Sequence, residues 1–276
     1  MIPSRQPTHD LEERSTIDVV VLAGGRNTIP LYKGYVPGPK ALIPYKGKAS
    51  IEYVLQALDA VDGIGRICVE GPRESLLTTL GDRMADGNTD LVEGGATFLD
   101  SLIIGLEHFR SSRSVLFVTA DLPLITPESV RAFLAAAAAA PPVKAQNITG
   151  DYRKFTKPFN RFRDIQICHG NLFIADTELL ENRDIRRRVT RMYDGRKSIL
   201  SRLAFGWQIA LTYLIGVDLL HILTLRTMAS VASRFLGVGI IPVLIPHPET
   251  TIDVDDADDY DFVREQIRKR VGPGAS

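Results

Sequence analysis

The sequence predicts an α/β fold, in which a mostly parallel β-sheet carries helices on both faces. Three short apolar runs rich in β-branched residues, at 17–25 (where the run ends in two glycines), 66–70 and 114–119, are typical of strands buried on both sides. The segments between them repeat apolar residues at helical spacing, so strands and helices alternate along the chain. Such alternation favours parallel pairing, because parallel strands need crossover connections.

The remaining elements follow from local signals. Ser50 is expected to cap a helix whose apolar residues recur over 51–58. Thr126 and Pro127 are expected to begin another helix, with threonine as the cap and proline at the first helical position. Further elements are predicted as a helix near 74–80, a strand at 89–92, a helix over 97–109, short strands including 170–175, helices within 198–236, a strand at 238–245 and a final helix to about Arg270.

The alternation breaks within 143–202, which is richer in Arg, Asn and Asp. We therefore expect a flexible N-terminus over 1–16 and a single domain over 17–272. Within this domain, 143–236 forms an insertion and a helical-hairpin region.

The composition is that of an ordinary soluble globular protein, with 45% apolar and 24% charged residues among 276. Lys and Arg number 33, as do Asp and Glu, so no overall charge favours nucleic acid or an anionic membrane. Two cysteines cannot form a disulfide framework, and we expect a reducing, cytoplasmic setting. The oligomeric state stays open, a dimer among the alternatives.

The apolar segment 203–225 tests the expectation of a soluble protein. It contains Gln208, Asp218 and His221, with glycines at 206 and 216, so a buried helical hairpin is favoured over an interfacial membrane helix.

The first strand ends in Leu22-Ala23-Gly24-Gly25, and a segment carrying Arg26, Lys33 and Lys40 follows. Glycines let backbone N–H groups approach a ligand closely, and ligands of open α/β sheets bind at this end of the strands. Oriented amides and lysines suit phosphate groups. The alternative is a strand that simply ends in a tight turn.

Two acidic positions follow other apolar runs. Asp121 comes directly after the strand at 114–119, where a carboxylate can hold a hard divalent cation, although a helix cap or turn would use the same residue. Asp253 and Asp255 would point to the same side of an extended segment. The alternative is a solvated helix N-terminus, which acids stabilise.

Taken together, these pieces resemble the MobA-like nucleotidyltransferases, which belong to the wider nucleoside-triphosphate transferases of Rossmann-like GT-A-type fold. That group includes enzymes that make CDP-methylerythritol and CMP-sugars. The resemblance rests on five segments in matching order: Leu22-Ala23-Gly24-Gly25, Lys40-Ala41-Leu42-Ile43-Pro44, Ile51-Glu52-Tyr53-Val54-Leu55, Thr119-Ala120-Asp121-Leu122-Pro123 and the acidic run 253–259.

The resemblance implies transfer of a nucleoside monophosphate from a nucleoside triphosphate to a small phosphorylated acceptor, with release of pyrophosphate, and we expect this acceptor to bind in the insertion within 143–236. It assigns Mg²⁺ (or Mn²⁺) to Asp121 and Asp255, with Asp253 nearby, and stabilisation of the transferring phosphate to Lys40. Nucleotide binding would fall to Leu22, Ala23, Gly24, Gly25 and Ser101. The stretch 94–101 resembles the part that reaches the base or ribose in relatives.

The chain departs from the family pattern after the second glycine, where relatives continue with Gly or Ser and then an arginine that grips the phosphates. Here that role would shift to Arg26. Two other functions stay open: a GT-A-type glycosyltransferase that uses a nucleotide sugar, and a nucleotide-binding protein without turnover.

Overall fold

A computed structural model describes residues 16–85, 87–139, 160–180, 184, 187 and 222–271. The chain divides into two compact units, which are treated separately below. The first contains the described residues up to 139 together with 170–177 and those from 247 onward, and the second contains those in 160–169 and 178–246.

The first unit is built on a five-stranded sheet of β1 (Ile17–Leu22), β4 (Ile64–Gly71), β5 (Thr89–Glu93), β6 (Ser114–Thr119) and β9 (Leu172–Asp176). A small hairpin of β2 (Pro44–Tyr45) and β3 (Lys48–Ala49) is not part of this sheet. The strand order is β5-β4-β1-β6-β9; the first four are parallel, and only the edge strand β9 runs antiparallel, to β6. The fold class predicted from the sequence is therefore confirmed: a mostly parallel α/β sheet.

The core of this unit surrounds the central strands. Val19, Val20 and Val21 are fully buried, as the apolar run in β1 predicts. The register places Leu22 opposite both Glu70 in β4 and Thr119 in β6. Three adjacent strands therefore end at the same level, and the residues that follow them share one edge of the sheet.

Four helices of this unit come between strands or just after β6: α1 (Ser50–Asp59), α2 (Arg73–Met84), α3 (Phe98–His108) and α4 (Pro127–Ala139). The N-terminus of α3 is fixed by a reciprocal pair, in which Thr97 accepts from the Asp100 amide and Asp100 accepts from the Thr97 amide. The prediction for Ser50 was wrong. The cap is Ala49, whose amide is bound by Glu52, and the Ser50 hydroxyl donates to the Ala120 carbonyl at 2.9 Å.

The second unit contributes a hairpin of β7 (Asn160–Arg161) and β8 (Gln166–Ile167), and helix α5 (Leu225–Leu236). Thr224 caps α5, and Gly237, in the left-handed conformation at φ 75°, ends it. The predicted strand at 238–245 was wrong, because these residues form no strand. Pro242 lies in the middle of the run and has no N–H to donate to a ladder.

The last described element is helix α6 (Ala257–Val271), which belongs to the first unit. Several expectations lie outside the described residues: the flexible N-terminus, most of the insertion at 143–202 and most of the apolar segment 203–225. Within the part of the chain that is described, no helix has the length and apolar character needed to span a membrane.

Candidate functional site

The order of the strands places a crevice at the end of β1. After β1 the chain adds β4 and β5 on one side and then returns to add β6 on the other. In open α/β sheets ligands bind at such a switch point, beyond the carboxyl ends of the strands. The glycines after β1 and Asp121 after β6 both lie there, and the Ala120 amide donates to the Leu22 carbonyl at 2.9 Å.

The loop that follows the glycines is closed by its own backbone. The Lys40 amide donates to the Gly25 carbonyl at 2.8 Å, and the Asn27 amide donates to the Gly38 carbonyl at 2.8 Å. This pairing brings Lys40 beside Gly25, although 14 residues separate them in sequence. A Cβ added at Gly24 would meet no atom within 4 Å, so the space beside this glycine is open.

A row of tyrosines holds the loop against the C-terminal helix. The ring of Tyr32 lies 5.2 Å from that of Tyr35 and 4.9 Å from that of Tyr260 in α6. Tyr260 stacks on the buried Tyr45 at 5.2 Å. Aromatic pairs at these distances add stability beyond the area that they bury. The loop and the acidic segment before α6 are therefore tied to each other.

Lys40 joins the two acidic segments. Its ammonium lies 3.5 Å from the Asp121 carboxylate and forms a hydrogen-bonded ion pair with Asp255. The Asp253 carboxylate is close enough to influence the pKa of both Lys40 and Asp121. The side chains of Lys40 and Asp121 are 16% and 15% exposed, and that of Asp255 is 55% exposed. The structure therefore brings together four of the residues that the sequence singled out.

Burial and charge act in opposite directions on this cluster. Burial works to lower the pKa of Lys40, but the carboxylates of Asp121, Asp255 and Asp253 outweigh it, so the pKa is raised above its usual value. Burial raises the pKa of Asp121, although Lys40 opposes that change. Lys40 is therefore held firmly as a cation, while Asp121 is a carboxylate whose ionised form depends on a nearby positive charge.

The backbone around Asp255 is fixed by its neighbours. Its amide donates to the Asp259 carboxylate at 3.0 Å, and its carbonyl accepts from the buried Asn27 side chain at 3.5 Å. Asp258 and Asp259 lie in the first turn of α6, where carboxylates are stabilised by the helix dipole. The acidic run thus has two parts: Asp258 and Asp259 begin α6, and Asp255, which precedes the helix, lies beside Lys40.

The carboxylates of this cluster suit a hard cation whose remaining ligands come from a bound phosphate group. No three His, Cys, Asp or Glu side chains among the described residues are arranged as a full metal-ligand set. Mg²⁺ is usually held by one or two carboxylates together with substrate phosphates, and does not need such a set. The carboxylates of Asp121 and Asp255 already converge on one cation, the ammonium of Lys40. These residues therefore fit the metal that the resemblance implies.

A second polar group lies at the end of β4. Glu70 is buried, and its Oε1 accepts from the Gly95 amide at 3.0 Å. Ser101, in the first turn of α3, donates its hydroxyl to Glu70 and accepts from the Gly95 amide at 3.2 Å. Burial raises the pKa of Glu70 to about 6, against the effect of these two hydrogen bonds. Ser101 is thus placed beside Glu70 and not in the Lys40 cluster.

Sequence reasoning missed Glu70, although a signal was present: a charged residue directly follows the apolar run 67–69 in the strand. Arg26 lies at the start of the loop, where its backbone pairs with Pro39 and the residue is exposed. Leu22 and Ala23 complete the end of β1, and the Ala23 amide donates to the Glu70 carbonyl at 2.6 Å.

The sequence matches the family model of the MobA-like NTP transferase domain over residues 19–192. This range includes the glycine loop, Lys40, Glu70, Ser101 and Asp121. No curated protein matches the sequence.

Solved structures with a similar fold cover most of the chain. A hypothetical transferase from Thermus thermophilus is 28% identical, covers 88% of this chain and 99% of its own, and has a TM-score of 0.69. A nucleotidyl transferase from Methanothermobacter (18% identity, TM-score 0.53) covers 92% of this chain and 99% of its own. A 4-diphosphocytidyl-2C-methyl-D-erythritol synthase from Anaerococcus prevotii (17% identity, TM-score 0.52) covers 92% of this chain and 96% of its own.

Proposed function

This chain belongs to the family of the MobA-like NTP transferase domain, and on that premise we propose that it transfers a nucleoside monophosphate from a nucleoside triphosphate to a small phosphorylated acceptor. The observation that carries the proposal is the position of Lys40. Its ammonium lies between Asp121 and Asp255, beside a glycine loop with open space next to it, at the switch point of the sheet.

In the proposed reaction, an oxygen of the acceptor phosphate attacks the α-phosphorus of the triphosphate and forms a new P–O bond. The bond from the α-phosphorus to the oxygen that bridges to the β-phosphate breaks, and this oxygen leaves with the electron pair as part of pyrophosphate. Both reactants are anions. Catalysis must therefore come from positioning them and from stabilising the negative charge that develops.

The residues of the crevice would divide this work. The amides of Gly24 and Gly25, at the end of Leu22-Ala23, are suited to hold phosphate oxygens. Lys40 would stabilise the transferring phosphate, because its flexible stem lets the ammonium exchange a carboxylate for a phosphate oxygen. The exposed Arg26 could reach the phosphates from the start of the loop.

Asp121 and Asp255, with Asp253 nearby, would hold Mg²⁺ (or Mn²⁺). When bound, this ion would neutralise part of the charge of the triphosphate. The cost of losing a group such as Lys40 is about 3 kcal/mol in barrier height, which corresponds to roughly a hundredfold loss of rate, by comparison with the loss of one oxyanion donor.

The test is the by-product. The protein would be incubated with ATP, CTP, GTP or UTP, Mg²⁺ and a panel of sugar and polyol phosphates, and pyrophosphate would be measured. Asp121→Asn and Lys40→Ala should each reduce its release by about a hundredfold or more. Lys48→Ala, which removes an exposed lysine of β3, is the matched control and should leave the rate unchanged.

Two results would contradict the proposal. Release of a nucleoside diphosphate from nucleotide sugars, without pyrophosphate from any triphosphate, would favour the glycosyltransferase. Binding of triphosphates without turnover of any acceptor, unaffected by Asp121→Asn, would favour a nucleotide-binding protein.

A further inference from the structure

Lys40 fills the place that the proposed function gives to a metal ion. Its ammonium is hydrogen-bonded to Asp255 and lies 3.5 Å from the Asp121 carboxylate. Mg²⁺ held between the same two carboxylates would lie about 2.1 Å from an oxygen of each. An ion in that position overlaps the ammonium or lies against it, and like charges at such short range repel each other strongly. The lysine and the metal are therefore alternative occupants of one gap.

The gap needs a cation in either case. Carboxylates that lie close together are unfavourable when ionised unless a positive charge compensates them, and burial increases this cost. The side chains of Lys40 and Asp121 are largely buried, and the Asp253 carboxylate acts on both of them. In the protein by itself, the ammonium of Lys40 supplies the positive charge.

The same ammonium can reach a phosphate group without movement of the backbone. The Lys40 stem passes beside the glycine loop, because a Cβ added at Gly25 would lie 3.7 Å from the Lys40 Cδ. The backbone of Lys40 is fixed: its amide donates to the Gly25 carbonyl at 2.8 Å, and its carbonyl accepts from the Ile43 amide at 3.2 Å. A phosphate held by the loop amides would lie near this stem. Rotation of the side chain alone then moves the charge from the carboxylates to the phosphate.

We propose that Lys40 is an internal counter-ion that keeps divalent cations out of the free protein, and that the metal enters when a phosphate ligand takes over the ammonium. The second half rests on the proposed function, because it places a triphosphate on the glycine loop. The first half needs only the contacts of Lys40 with Asp121 and Asp255. Metal and triphosphate then bind cooperatively: a ligand that draws the ammonium away raises the affinity for Mg²⁺, and by linkage Mg²⁺ raises the affinity for the ligand.

The first half is tested by thermal unfolding with Mg²⁺ alone, compared with chelator at matched ionic strength. The melting temperature of the wild-type protein should be the same in both. Lys40→Ala should melt below the wild type in chelator, because the carboxylates lose their counter-ion. About 10 mM Mg²⁺ should raise the melting temperature of this variant by about 3 °C or more, the rise expected for a tenfold excess over the dissociation constant.

Further variants locate the effect. Combining Lys40→Ala with Asp121→Asn removes one of the carboxylates and should abolish the rise caused by Mg²⁺. Lys48→Ala, which removes an exposed lysine of β3, is the matched control and should behave as the wild type does. Should Lys40→Ala not fold, Lys40→Met replaces it, because methionine keeps an apolar stem without the charge, and the same rise is expected.

The second half is tested by thermal unfolding of the wild-type protein with ATP, CTP, GTP or UTP. Mg²⁺ should add to the stabilisation that a triphosphate gives in chelator, although Mg²⁺ alone adds none. If Mg²⁺ adds nothing to any triphosphate that stabilises the protein, the exchange is overturned.

The outcomes separate the inference from the function on which it rests. The inference is overturned if Mg²⁺ alone stabilises the wild type as much as Lys40→Ala, if it leaves Lys40→Ala unchanged, or if the rise survives Asp121→Asn. None of these results touches the proposed function, which is judged by release of pyrophosphate. If no triphosphate stabilises the wild type with or without Mg²⁺, the proposed function and the exchange are overturned, whereas Lys40→Ala with Mg²⁺ alone still decides the first half.

Discussion

Glu70 gives a quantitative prediction about stability, which does not depend on any ligand. Its pKa is raised from 4.5 to about 6 by burial. Between pH 4.5 and pH 6 the Glu70 carboxyl is therefore more fully protonated in the folded protein than in the unfolded chain. Its contribution to the free energy of unfolding is present at low pH and is lost as the pH rises through 6. Glu70→Gln removes this titration. The wild-type protein should therefore gain stability relative to the variant on acidification.

The size of the effect follows from the shift. Raising the pKa of Glu70 from 4.5 to about 6 corresponds to about 2 kcal/mol when the change is complete, and about 1 kcal/mol of this develops between pH 7.5 and pH 5. The side chain is 1% exposed, so solvent does not screen the effect. The thiol of Cys68, on the same strand, stays neutral throughout, because burial raises its pKa to about 12.

The assay is urea denaturation of the wild-type protein and Glu70→Gln at several pH values from 5 to 7.5. At each pH, the free energy of unfolding of the variant is subtracted from that of the wild-type protein. Only the change of this difference with pH is used, so any effect of the substitution that does not depend on pH cancels. A difference for Glu70→Gln that stays constant within about 0.3 kcal/mol would refute the reasoning, since such constancy requires an unshifted pKa.

Four further outcomes are expected. Lys40→Ala should bind Mg²⁺ alone more tightly than the wild-type protein in calorimetry, because the lysine no longer neutralises the carboxylates; unchanged affinity would contradict this. Asp121→Asn should lose the Mg²⁺-dependent part of triphosphate affinity, measured with and without chelator. Phe117→Ala removes a fully buried ring and should lower the free energy of unfolding by about 3–5 kcal/mol in urea. Gly71→Ala places a Cβ 2.9 Å from the backbone of Ala23, whereas a Cβ at Gly24 meets nothing within 4 Å. Only the former should lower the melting temperature.

The parts of the fold that the sequence predicted well are those with strong local signals. β1, β4 and β6 were predicted close to their observed bounds, because a short apolar run that is buried on both faces has few other structures open to it. The start of α4 was also predicted, from a threonine followed by a proline.

The errors arose where tertiary contacts decide the outcome. Ser50 has the chemistry of a cap, yet its hydroxyl binds Ala120, 70 residues away in sequence. The run at 238–245 is apolar enough for a strand but contains a proline and pairs with no described strand. The surroundings of Glu70 could not be predicted, because its carboxylate accepts a hydrogen bond from the Gly95 amide, 25 residues away in sequence.

The sequence by itself determined the kind of groups available: a glycine loop, a lysine, and acidic residues in two segments that lie far apart along the chain. Only the tertiary structure decided that Lys40 and Asp255, 215 residues apart, form an ion pair beside Asp121. Local propensity acts over a few residues, whereas the meeting of these side chains depends on strand order, and strand order is set by how the helices and strands pack together.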